Sequence, residues 1–62
     1  MTLAQFIKVI NPDTNVKVFD KWGFIDFYNA NMLFKDFCEQ TRIIEIKADE
    51  NNTLAITIDY YI

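Results

Sequence analysis

Two apolar series with a period of two dominate the end of the chain. Ile44, Ile46 and Ala48 precede the polar run Asp49-Glu50-Asn51-Asn52-Thr53, and Leu54, Ile56, Ile58, Tyr60 and Ile62 follow it. Strand side chains point alternately to opposite faces, so each series lines a single face. The stretch from Arg42 to Ile62 therefore predicts two strands joined by a tight polar turn. An apolar sheet face needs cover from water, and the preceding residues must supply it.

They have the right patterns to do so. Leu3, Phe6, Ile7 and Ile10 fall at i, i+3, i+4 and i+7, which predicts a short amphipathic helix over residues 2–10. Thr2 with Gln5 three residues on matches a capping box, and Asn11-Pro12-Asp13-Thr14 ends the helix. Residues 15–20 read as a strand with Val16 and Val18 on one face and Lys17 and Phe19 on the other. Asp20-Lys21-Trp22-Gly23 reads as a turn, and Phe24–Tyr28 as a second strand with Ile25 and Phe27 inward. Asn31 is placed to cap a second short helix at about residues 32–40, with Leu33, Phe34, Phe37 and Cys38 as its apolar stripe.

The order helix, hairpin, helix, hairpin predicts one α+β domain over residues 1–62. Its architecture is expected to be two-layer: a four-stranded, mainly antiparallel sheet with two short helices on one face. The expected core is Leu3, Phe6, Ile7, Ile10, Val16, Val18, Ile25, Phe27, Leu33, Phe37, Ile44, Ile46, Leu54, Ile56 and Ile58. A chain of 62 residues buries a limited share of its surface, and a single cysteine excludes an internal disulfide staple. With 52% hydrophobic and 16% aromatic residues, the chain is too apolar for disorder. Self-association or a partner is therefore expected to cover the excess. No run is long and apolar enough to span a membrane. The opening Met1–Gln5 lacks the basic region and long apolar core of a signal peptide, which sets the expectation of a cytoplasmic protein.

The residue inventory removes most catalytic chemistry. Without histidine or serine, a Ser-His or Cys-His nucleophile is impossible, and a classical zinc site lacks its ligands. Cys38 reads as a small core hydrophobe. The carboxylates of Asp20, Asp26, Asp49 and Glu50 read as solvated turn residues and not as an acid–base pair. Asp49-Glu50-Asn51-Asn52 lacks the glycine and closing glutamate of a calcium loop. The expectation is a non-enzyme with no catalytic residue, no cofactor and no metal.

A binding surface is the remaining possibility. Phe19, Phe24, Tyr28 and Tyr61 alternate away from the expected core, Trp22 lies at the turn between the first two strands, and Asp59 shares the outer face. These six residues form the expected partner-binding set. Part of this region, Val16-Lys17-Val18-Phe19-Asp20-Lys21-Trp22-Gly23-Phe24-Ile25, resembles the nucleic-acid-binding strands of cold-shock domains. That resemblance implies base stacking on Phe19, Trp22 and Phe24 beside Lys17 and Lys21. The second glycine and the gap of that family are missing, and a net charge of −3 opposes phosphate binding, so nucleic acid is the less favoured partner.

A second resemblance spans most of the chain. Leu3-Ala4-Gln5-Phe6-Ile7-Lys8-Val9-Ile10-Asn11-Pro12-Asp13-Thr14, Lys35-Asp36-Phe37 and Ile43-Ile44-Glu45-Ile46 are similar to segments of short acidic proteins encoded by phages and mobile elements of Gram-positive bacteria. This resemblance implies a protein that occupies a surface of a host enzyme, with anti-CRISPR-like inhibition as its sharpest form. The implied partner is a CRISPR effector or another host nuclease. A homodimer is expected from the aromatic outer face, and a purely structural homodimer or a single-stranded nucleic-acid-binding module are the alternative functions.

Overall fold

Thr2 begins the first helix as its spacing predicts. Its Oγ1 accepts from the Gln5 amide at 3.3 Å, and Gln5 Oε1 accepts from the Thr2 amide at 2.9 Å. Helix α1 then spans Leu3–Val9 and ends where Ile10 turns extended. Asn11 Oδ1 accepts from the Asp13 amide at 2.9 Å, and the Thr14 amide returns to the Asn11 carbonyl at 3.0 Å, which closes the turn into the sheet. A computed structural model describes residues 1–50 and 52–59, so the expectations for Asn51, Tyr60, Tyr61 and Ile62 lie outside the described residues.

The strands are β1 (Asn15–Asp20), β2 (Gly23–Asn29), β3 (Arg42–Ala48) and β4 (Thr53–Asp59), with a 3-10 helix at Ala30–Lys35 between β2 and β3. They form a four-stranded mixed sheet in the order β2-β1-β4-β3. β1 pairs antiparallel with β2, and β3 antiparallel with β4. The two inner strands, β1 and β4, run parallel, with Val16 beside Leu54 and Val18 beside Ile56. The fold is α+β, as expected.

The inner strands carry the most buried residues. Val16, Val18, Ile56 and Ile58 are at most 1% exposed, and they meet Leu3 and Phe6 of α1, and Ala30, Leu33 and Phe37 around the 3-10 helix, in one core. Backbone bonds attach the start of α1 to the entry of β3. The Leu3 amide donates to the Thr41 carbonyl and the Ile43 amide to the Met1 carbonyl, both at 2.8 Å. At seven residues α1 would not persist alone, so these bonds and its buried face hold it.

Several expectations need correction, and two bulges account for most of those in the strands. A bulge between Val18 and Phe19 changes the register of β2. Phe27, expected in the core, opposes Lys17 on the other face and is 62% exposed, while Tyr28 turns inward beside Val16. A second bulge between Ile43 and Glu45 shifts β3. Ile43 is buried there, while Ile44 and Ile46, both expected in the core, are exposed. Ile46 keeps its place beside Ile56, but it sits on the outermost strand and is 41% exposed.

The second helix is also different. Instead of an α-helix over residues 32–40, a 3-10 helix starts two residues earlier, and Asn29 rather than Asn31 precedes it, without a side-chain cap. A 3-10 helix repeats every three residues, so Ala30 and Leu33 stack inward together. The same repeat leaves Phe34 exposed, and the chain leaves the helix before Cys38, which is exposed as well.

Candidate protein-interaction face

The sheet face opposite the helices is assembled from residues that alternate with the core. β1 supplies Lys17 and Phe19, β4 supplies Ala55 and Thr57, and β3 supplies Glu45 and Lys47. The bulge lets β2 contribute both Phe24, opposite Phe19, and Phe27, opposite Lys17. Three phenylalanines therefore run together. Phe19 and Phe24 meet edge to face with centroids 5.5 Å apart, and Phe24 and Phe27 do so at 4.9 Å.

Beside this ridge the surface drops. Ala55 and Thr57 are small, and with Phe19, Asp20, Glu45 and Lys47 they line a shallow depression. Lys17 Nζ lies 5.7 Å from the Phe27 centroid and 2.6 Å from Asp49 Oδ2. The hydrogen bond and charge of Asp49 raise the Lys17 pKa, and the same contact holds the Asp49 carboxyl below its ordinary value. The face is thus an apolar ridge, a small-residue furrow and a rim of both charge signs.

The expected binding residues divide in this geometry. Phe19 and Phe24 are brought together on the open face. Trp22 is 80% exposed at the β1–β2 turn, with Lys21 Nζ 4.6 Å from its ring centroid. Asp20 Oδ1 accepts from the Trp22 amide at 2.7 Å and fixes that turn. Asp59 lies opposite Arg42 at the end of β4, out of phase with the core residue Ile58. Tyr61 lies outside the described residues. Tyr28 is misplaced in the sequence reading: it is on the helix side, its ring 5.3 Å from Phe37 and its hydroxyl donating to Asp36 Oδ2 at 2.7 Å.

Phe27 is the face residue that sequence reasoning missed. It alternates with Phe24 only if the strand is regular, and no local residue type announces the bulge.

Among the described residues, no group of three or more His, Cys, Asp or Glu side chains is arranged to hold a metal ion. No helix among them is long and apolar enough to cross a membrane. Compared with protein-family models, curated proteins and solved structures, the chain has no match.

Proposed function

We propose that this chain is a small non-enzymatic protein that binds a protein partner through the open face of its sheet. The carrying observation is the contiguous Phe19–Phe24–Phe27 ridge, with Phe24 49% and Phe27 62% exposed. Ordering three aromatic rings against water is unfavourable, whereas burying them against a partner is the usual source of interface energy. The surrounding Lys17, Glu45 and Lys47 supply the polar rim such an interface needs.

The resemblance to short acidic phage proteins extends the reading to a cytoplasmic inhibitor of a host nucleic-acid enzyme, anti-CRISPR-like in type. Acidic groups at Asp20, Asp26, Asp49, Glu50 and Asp59 would compete for a basic channel on that enzyme. Binding to purified CRISPR effectors and host nucleases, with a parallel interference assay, tests this. Retention by one of them, abolished in the Phe24→Lys/Phe27→Lys variant, is the expected result. Absence of binding to all of them, with undiminished interference, removes the inhibitor reading.

One observation favours a second reading. Lys21 over the exposed Trp22 ring is an arrangement that stacks a base and meets a phosphate. Titration with a single-stranded oligonucleotide at low salt separates the two readings, since stacking would quench Trp22 fluorescence. An unchanged signal eliminates nucleic acid as the ligand.

A further inference from the structure

The two edges of the sheet are not equivalent. Just past the end of β2, the Ala30 amide points to the β1 side, where it meets the carbonyl of Thr14, the residue before β1, at 2.9 Å. Inward and outward backbone groups alternate along a strand, so Phe27 directs its amide outward. There the Asp26 carboxylate accepts it at 2.8 Å. An acidic side chain thus occupies a donor that an incoming strand would need.

Among the described residues, the β3 edge is covered only at its start. Thr2 bridges to Arg42, and the Ile43 amide is taken by the Met1 carbonyl. Beyond the bulge, the Asp49 amide points inward to the Thr53 carbonyl at 2.9 Å. Counting back by two, Lys47 and Glu45 also face β4, and Ala48 and Ile46 direct their amides and carbonyls outward. No described segment lies alongside them. Ile44 and Ile46 are 55% and 41% exposed on this same edge.

The order of charges there is self-complementary. We infer that residues 44–48 of β3 pair antiparallel with the same residues of a second copy, joining two sheets into one of eight strands. With Ile46 opposite Ile46, Glu45 of each copy faces Lys47 of the other, and Ile44 faces Ala48. The central pair is the hydrogen-bonded kind, in which both residues exchange amide and carbonyl. Glu45 and Lys47 already approach within 3.6 Å inside one chain, at side-chain exposures of 54% and 68%. Both remain available to the partner.

The neighbouring registers are disfavoured. A slip of two residues in one direction sets Lys47 against Lys47, and in the other Glu45 against Glu45. A slip of one moves each side chain to the wrong face. The interface is isologous and closes on itself, so it makes a dimer and not a fibre. It leaves the Phe19–Phe24–Phe27 ridge of each copy free while engaging Glu45 and Lys47 at the opposite rim of that face, and it does not rest on the binding reading given above.

Sedimentation equilibrium across micromolar concentrations tests this pairing. A concentration-dependent monomer–dimer equilibrium is expected. Glu45→Lys and Lys47→Glu each turn two opposite-charge pairs into like-charge pairs and weaken the dimer about tenfold or more. The double exchange Glu45→Lys/Lys47→Glu restores it. Ile46→Pro removes an outward amide that serves no bond to β4, so it abolishes the dimer while the circular dichroism spectrum is retained. A monomer at all concentrations overturns the proposal. So does a dimer indifferent to the charge exchange, or one lost instead in Phe24→Lys, which would place the contact on the open face.

Discussion

Lys17 Nζ lies 2.6 Å from Asp49 Oδ2, and this ion pair reaches from strand β1 over β4 to the residue that follows β3. It connects segments that are thirty-two positions apart in sequence, by the difference of 49 and 17. It also decides what the open face offers, because it engages the ammonium group lying beside Phe27.

The pair sets a pH dependence of stability. Asp49 has a lowered pKa because Lys17 donates to it and carries positive charge. Its contribution is therefore full above the ordinary carboxylate range and is lost as pH falls through the folded value. Lys17 has a raised pKa from the Asp49 hydrogen bond, so its contribution is present below the ordinary lysine value and lost as pH rises through the folded one. Thermal melts of the wild type and Asp49→Asn are expected to differ near neutral pH and to converge in strong acid. Both side chains are about a third exposed, so the difference is small. A gap that widens on acidification contradicts this assignment.

Ile43 and Ile44 are adjacent and chemically identical, yet the bulge separates their fates. Ile43 is 6% exposed and Ile44 55%. Ile43→Ala is expected to cost about 2–5 kcal/mol and Ile44→Ala under about 0.5 kcal/mol. Urea unfolding of the two variants measures both. Equal losses would mean that β3 has no bulge there.

Gly23 adopts a φ of +130°, and a Cβ built on it would meet nothing within 4 Å. The space is free but the backbone conformation is not one that other residues adopt readily. Gly23→Ala is therefore expected to cost about 1–3 kcal/mol through strain alone. Calorimetric unfolding checks the cost. A neutral result would show that the β1–β2 turn can relax.

Cys38 is exposed, with its Sγ 3.4 Å from Thr41 Oγ1. The hydroxyl favours the thiolate and lowers the thiol pKa. Alkylation of the native protein at neutral pH is expected to match or exceed the rate for a free thiol. Protection until denaturant is added would restore Cys38 to the core.

Helix α1 was readable because its signals are local. The Thr2–Gln5 capping box and the spacing of Leu3 and Phe6 involve contacts within one or two turns. The faces of β1 and β4 were equally readable, because Val16, Val18, Ile56 and Ile58 alternate without interruption. On the candidate site, Phe19 follows from the alternation of β1, and Trp22 and Phe24 from the turn at Gly23 and the residue just after it. Tyr28 and Phe27 do not. One extra residue in a strand inverts every side chain beyond it, and a bulge leaves no compositional trace.

By itself the sequence determined the positions of the strands, the first helix and its cap, and the absence of histidine and serine chemistry. Tertiary structure alone decided that β1 lies parallel to β4, that Phe27 joins the open face, and that no described segment covers the β3 edge past Ile43. The physical reason is range. Capping and periodicity are set by neighbours a few residues away, whereas strand order and register are chosen by packing between segments that meet only when the chain is folded.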